Sequence, residues 1–212
     1  MTDSPPRGRF ITLEGGEGAG KSTQIGLLAE ALRQRGRDVV VTREPGGAPG
    51  ADILRGLLLS GDVAWSPQAE TLLHFAARAE HVAKTIRPAL ARGAWVLCDR
   101  YYDSTMVYQG HALGGDVAQI AELARMIDLV PDLTLVLDVA VDTTAQRLAS
   151  RGQAADRYER LGAPFFARVR DGFLTVAQQN STRCVVIDAN APLSRVSASV
   201  FAATRDHFTE LA

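Results

Sequence analysis

Five short apolar runs punctuate the chain: Phe10-Ile11-Thr12-Leu13, Val39-Val40-Val41-Thr42, Trp95-Val96-Leu97-Cys98, Leu133-Thr134-Leu135-Val136-Leu137 and Cys184-Val185-Val186-Ile187. They are rich in β-branched residues and nearly continuous rather than alternating, which predicts strands buried on both faces. Between them, 20–35, 67–92, 117–129, 142–150, 164–180 and 193–208 carry apolar residues at helical spacing. Strands joined by helical crossovers predict an α/β fold: a parallel five-stranded sheet with helices on both faces. No internal repeat or low-complexity linker breaks this order, so a single domain over 1–212 is expected.

Ligands of such a sheet lie beyond the carboxyl ends of its strands. The residues due there are Glu14-Gly15, Arg43-Glu44-Pro45-Gly46-Gly47, Asp99-Arg100, Asp138 and Asp188. Acids, arginines and glycines therefore crowd one rim.

Gly15-Gly16-Glu17-Gly18-Ala19-Gly20-Lys21-Ser22 matches G-x-x-x-x-G-K-[ST] and lies between a predicted strand and a predicted helix, as a P-loop requires. Its glycines let backbone N–H groups wrap a polyphosphate such as that of ATP. Lys21 reaches the outer phosphates, Ser22 offers a hydroxyl to Mg²⁺, and Thr23 follows in the first helical turn. The competing interpretation is a glycine-rich turn with an exposed lysine. Asp99, closing the run 95–98, has the form of a second metal-binding motif or of a structural carboxylate. Asp138 has the same form but precedes what looks like ordinary helix capping.

Composition narrows the field. With 46% hydrophobic residues, 23 Lys+Arg against 24 Asp+Glu and a formal charge of −1, the chain supports a core but offers no global basic field for nucleic acid or an anionic membrane. Lysine occurs only at 21 and 84, so 21 of the 23 cations are arginines, which bind phosphates bidentately. Cys98 and Cys184 border apolar runs and are expected to be buried thiols. No run approaches the roughly 18 apolar residues of a membrane span, and the start lacks the apolar core of a secretion signal, so a cytoplasmic location is expected. His81, His111 and His207 show no metal spacing and are expected at the surface or in packing.

A P-loop alone says nothing of what is done with the nucleotide. A GTP switch needs an Asn/Thr-Lys-x-Asp guanine reader, and Lys84 lies in Ala-Lys-Thr-Ile. A phosphotransferase needs a second anion site, for which Arg43, Arg55 and Arg100 are placed beside the rim.

Further motifs carry a resemblance. Leu13-Glu14-Gly15-Gly16-Glu17-Gly18-Ala19-Gly20-Lys21-Ser22-Thr23, Thr42-Arg43-Glu44-Pro45-Gly46-Gly47, Phe75-Ala76-Ala77-Arg78, Asp99-Arg100-Tyr101 with Ser104, Tyr108-Gln109-Gly110, and Arg151-Gly152 with Asp156-Arg157 resemble the bacterial thymidylate kinase family over about Phe10 to Val196. That resemblance implies a nucleoside monophosphate kinase-like domain of P-loop NTPase type. It would use ATP and Mg²⁺ to convert dTMP to dTDP, for dTTP synthesis and DNA replication, and would act as a homodimer. Apolar faces on 67–92 and 117–129 fit either a dimer or the core.

The resemblance also implies roles. Glu17 takes the position of an acid facing the acceptor 3′-hydroxyl, Arg100 that of the arginine gripping the acceptor phosphate, with Arg55 as a second clamp. Pro45 matches a tight, often cis, turn. Glu44 either helps place the metal or pairs with Arg43. Arg78 is expected to bond a thymine carbonyl, with Thr105 and Gln109 at the ring edge. Many members carry a stacking aromatic four residues before the arginine; here His74 stands there and Phe75 follows, so either is a candidate to cover the base. Some members also place an arginine within the P-loop, where this chain has Gly18. The segment 151–160 then resembles a lid, with Arg151 the first candidate for the transferring phosphoryl group, followed by Arg157 and Arg147. The runner-up activities are kinases of other nucleosides or nucleotides, and the runner-up class is a non-catalytic P-loop protein.

Overall fold

A computed structural model of the chain describes residues 7–150 and 157–211. Every predicted strand is present: β1 Arg9–Glu14, β2 Val39–Arg43, β3 Trp95–Asp99, β4 Leu133–Asp138 and β5 Cys184–Asp188. They form one parallel sheet in the order β2-β3-β1-β4-β5. Each strand runs one residue past its apolar run, onto Glu14, Arg43, Asp99, Asp138 or Asp188. The register sets Leu13 and Arg43 on either side of Asp99, so the polar residues gather at one edge of the sheet.

Alternation along the strands divides the core. On one face Ile11, Leu13, Leu97, Leu133 and Leu135 pack against Ile25, Leu28 and Leu32 of α1 (Lys21–Arg33) and Val196 and Val200 of α9 (Leu193–His207). On the other face Phe10, Val96 and Cys98 meet Val82, Ile86 and Tyr101. Beside them Val136 and Cys184 meet Val107, Tyr108 and the aromatic side of α8 (Gly162–Gln179). Both cysteines are buried and free. The expectation of burial on both faces holds for β1, β3 and β4 but not for the edge strands. Val41 in β2 and Val186 in β5 are 47% and 46% exposed, because they lie at the margins of the helical layers.

The helical stretch 67–92 is compound. Ser66 caps α3 (Pro67–His81) by accepting from Ala69 N, and the chain then passes through a wider π-helical turn at Val82–Ile86 into α4 (Arg87–Ala91). Asp116 caps α6 (Val117–Ile127), and α7 spans Val141–Ser150. Two helical segments were not signalled by periodicity. In α2 (Pro49–Leu59), Ile53 and Leu57 face solvent while Ala51 and Leu58 are buried, so no stripe announces the helix. Its start, Pro49 at the first turn after Gly46-Gly47, also reads as a loop, although proline favours that helical position. In α5 (Tyr102–Thr105) and the π-helical Met106–Ala112 that follows, most residues are buried and many of these are polar, which again leaves no amphipathic signal. Among the described residues, no helix is long and apolar enough to cross a membrane.

Candidate active site

The phosphate loop begins where β1 ends. Gly15 has φ +133°, and a Cβ there would stand 2.5 Å from the Leu137 carbonyl oxygen of β4, so only glycine lets the loop leave the sheet this way. Gly20 starts α1 without any side-chain cap, which leaves the first-turn amides directed at a ligand anion. Lys21 Nζ donates to the Gly15 and Gly16 carbonyls at 3.0 and 2.9 Å. Burial, helped by the nearby Arg100 charge, lowers its pKa from 10.5 to about 8. The Ser22 hydroxyl donates to Asp99 Oδ2 at 2.9 Å, uniting the two expected metal-side groups. Residues 17–23 with Asp99 and Arg100 line a groove of about 200 Å³.

Arg100 spans from this groove toward Ser104 and Tyr108. Its backbone takes φ +69°, unusual for a residue with a Cβ. Nη2 donates to Glu17 Oε1 at 2.6 Å, while Nη1 reaches the Gly15 carbonyl and Ser104 Oγ at 3.0 and 3.2 Å. The guanidinium lies over the Tyr108 ring, 4.9 Å from its centre, and the Tyr108 hydroxyl donates to Glu17 at 3.0 Å. Beneath it, fully buried Glu14 accepts from Tyr101 N at 2.7 Å and from Ser104 Oγ at 2.6 Å. Sequence reasoning assigned no role to Glu14, Ser104 or Tyr108, although a carboxylate closing a buried strand was a usable signal.

Arg78, His74, Thr105 and Gln109 meet in a narrow second cleft, of about 40 Å³, together with Glu44, Pro45, Ser104, Tyr108 and Tyr158. Arg78 Nη2 donates to Thr105 Oγ1 at 3.1 Å. Arg78 Nη1 and His74 Nε2 are buried with no hydrogen-bond partner among the described residues. Burial lowers the His74 pKa to about 3 and keeps the ring neutral. Phe75 does not line this cleft but lies beneath the Arg78 guanidinium, 4.6 Å away. Gln109 Nε2 donates to Glu70 Oε1 and the Tyr158 hydroxyl, and Arg157 pairs with Glu70, which ties residues 157 and 158 to the cleft.

Other expected residues fall elsewhere. Arg55 Nη1 donates to the Pro45 carbonyl at 2.7 Å, just after the Glu44–Pro45 peptide, which is cis as expected. Arg43 is exposed, 3.8 Å from Asp52, in a neighbouring cleft of about 600 Å³ that also reaches Ser22 and Asp99. Glu44 requires correction: its amide donates to the Asp99 carbonyl at 2.9 Å, but its carboxylate turns to Arg78 and His81 rather than to the metal-side pair or Arg43. Its oxygens are taken by Arg78 at 2.7 Å and His81 at 3.0 Å, in a fully buried setting. Successive residues of an extended chain point to opposite sides, which carries Glu44 inward as Arg43 faces solvent. Of the two settings expected for His81, surface or packing, it takes the second and is fully buried. Arg147 donates to the Gly18 and Ala189 carbonyls at 3.0 and 2.9 Å. Arg151, with the rest of 151–156, lies outside the described residues.

Among the described residues no three His, Cys, Asp or Glu side chains cluster as a metal cage. Ser22 and Asp99 instead supply two oxygens, the donor set of a hard cation that takes its remaining ligands from phosphates and water.

The family profile described as thymidylate kinase matches residues 13–200. The thymidylate kinase of Caulobacter vibrioides is 51% identical over 197 residues, covering 92% of this chain and 94% of that protein. That of Afipia carboxidovorans is 53% identical over 202 residues, covering 93% and 89%. The crystal structure of thymidylate kinase from Ehrlichia chaffeensis superposes with a TM-score of 0.76 at 36% identity, covering 94% of this chain and 99% of that one. A profile match spanning both clefts and half-identical relatives of nearly equal length lead to one conclusion: the chain belongs to the thymidylate kinase family.

Proposed function

We propose that the chain transfers the γ-phosphoryl group of ATP to dTMP, giving ADP and dTDP. The observation that carries this is the Glu17–Arg100 pair, held at 2.6 Å in the phosphate groove and linked to the second cleft through Tyr108 and Ser104. A donor triphosphate along 15–23 and an acceptor in the Arg78 cleft would then meet at that pair.

In this assignment Lys21 and the loop amides hold the ATP phosphates, Arg100 with Arg55 and Arg43 grips the acceptor phosphate, and Glu17 takes the 3′-hydroxyl. Arg78, with Thr105 and Gln109, faces the base edge, and His74 covers the base. Ser22 and Asp99 would hold Mg²⁺, which supplies charge neutralisation for the phosphates when bound. Positioning and electrostatics suffice for in-line transfer, so neither a covalent intermediate nor a strong general base is invoked. Arg151 is assigned to the transferring group, within a lid over 151–160 that belongs to one domain. A cytoplasmic homodimer completes the proposal. Its support is the exposed apolar set Ile53 and Leu57 on α2, Leu72 on α3 and Met126 on α6, which a two-fold interface would cover.

ADP release with dTMP, dUMP, dGMP, dCMP and AMP tests the activity. A clear preference for dTMP is expected; preference for another acceptor would overturn the substrate, and no turnover with any would favour a non-catalytic nucleotide binder.

A further inference from the structure

Glu44 has no place in the phosphate groove, yet it is among the most tightly held side chains in the molecule. Its Oε2 accepts from Arg78 Nε at 2.7 Å, its Oε1 faces His81 Nδ1 at 3.0 Å, and His81 Nε2 lies 2.7 Å from Thr42 Oγ1. The Glu44, Arg78 and His81 side chains are 3%, 2% and 0% exposed. With Nδ1–H donating to the carboxylate, Nε2 accepts from the Thr42 hydroxyl and both ring nitrogens are satisfied. Gly47, at φ +83°, crosses this chain so closely that a Cβ would lie 2.4 Å from both His81 Nε2 and Thr42 Oγ1. Thr85 Oγ1 fastens the Gly47 carbonyl at 2.7 Å.

The rest of the Arg78 guanidinium is equally constrained. Phe75 and Tyr101 lie against it with ring centres 4.6 and 5.2 Å from Cζ, and Thr105 takes Nη2. Among the described residues only Nη1 is left without a partner, in a side chain that lines the cleft with His74 and Gln109.

We propose that Glu44, backed by His81 and Thr42, is a positioning residue that fixes Arg78 so that Nη1 meets a carbonyl oxygen of the acceptor base. This rests on the cleft being the base site. A buried guanidinium needs a countercharge, and Glu44, which itself borders the cleft, supplies it at Arg78 Nε. A donor already held in one geometry loses little freedom on binding, which favours the acceptor that presents an oxygen there. Because Glu44 acts through Arg78, its loss affects acceptor binding and not ATP binding or phosphoryl transfer.

Steady-state kinetics of Glu44→Gln, Arg78→Met and the double variant test this. Glutamine puts an N–H against one of the two donors and removes the charge. Glu44→Gln is expected to raise the KM for dTMP about tenfold or more, with kcat and the KM for ATP within about threefold, and to add nothing in the Arg78→Met background. An unchanged dTMP KM in Glu44→Gln beside an impaired Arg78→Met overturns the positioning role alone. An unchanged dTMP KM in Arg78→Met overturns the base site and the inference with it. An equal rise in both KM values, or additive losses, also overturns the positioning role. If Glu44→Gln does not fold, His81→Asn and His81→Leu decide. Asparagine keeps an N–H near the Nδ1 position, so it is expected to retain the dTMP KM that leucine loses; equal values overturn the proposal.

Discussion

Glu17 and Arg100 hold each other at 2.6 Å across 83 positions of sequence, with Tyr108 donating to the same carboxylate oxygen. The acid assigned to the acceptor hydroxyl and the cation assigned to the acceptor phosphate thus fix one another's orientation at the junction of the two clefts. Both side chains are 17% exposed, so the pair is well shielded from solvent.

Truncating one partner of such a pair removes a grip and strands the opposite charge. Arg100→Met is therefore expected to lower kcat/KM for dTMP by roughly 10²–10³-fold, or about 3–4 kcal/mol, while the KM for ATP changes little. Steady-state kinetics with each substrate varied in turn checks this. A loss below about tenfold would remove Arg100 from the acceptor site.

Lys21 carries a linkage that can be read by calorimetry. Burial first, then the Arg100 charge, brings its pKa to about 8, against an ordinary 10.5. A bound triphosphate favours the charged ammonium and raises that value again. Above about pH 8, ATP binding is then expected to take up a substantial fraction of a proton, and the binding heat to vary with the buffer's ionisation enthalpy. Buffer-independent heats at about pH 8.5 would contradict the burial argument.

His74 and Phe75 are now separable. The His74 ring is neutral and lines the cleft, whereas Phe75 is 5% exposed and supports the Arg78 guanidinium from below. His74→Ala is expected to raise the dTMP KM roughly 5- to 100-fold, the scale of a lost base-stacking contact, with little change in Tm. Phe75→Ala removes a core aromatic, at about 3–5 kcal/mol, and is expected to lower Tm by roughly 6–20 °C. Comparing the dTMP KM and the melting curve of each variant checks the division; the opposite pattern would exchange their roles.

The sheet was legible in the sequence because its apolar runs are continuous and each ends on a polar residue, so Asp99 and Glu14 fall at the rim by counting alone. Lys21 and Ser22 were equally legible, since a local motif fixes their geometry. Glu44 was not. Its neighbour Arg43 offered an obvious local partner, while its real partners Arg78 and His81 lie 34 and 37 positions away, on a helix. The helical segment Tyr102–Ala112 was missed for a related reason: Ser104, Thr105, Tyr108 and Gln109 are buried by the site itself rather than by an apolar stripe. Local pattern records what packs against the sheet, and it is silent where polar residues are interior because they serve one another.

Glu14 gives the clearest pH dependence. Burial, then repulsion from Asp103, raises its pKa from 4.5 to about 8, against the opposing pull of Ser104, Arg100 and the Tyr101 N–H. A folded carboxyl with a raised pKa keeps a proton that the unfolded chain releases. Its contribution to stability is therefore full below about pH 4.5 and is lost as pH rises through about 8. Glutamine at this position is neutral at every pH and close in shape, so Glu14→Gln removes the titration without removing the side chain. From about pH 6 to about pH 9, the wild-type Tm is expected to fall more steeply than that of the variant. Parallel curves would mean that Ser104, Tyr101 and Arg100 stabilise the carboxylate against burial, leaving Glu14 ionised throughout.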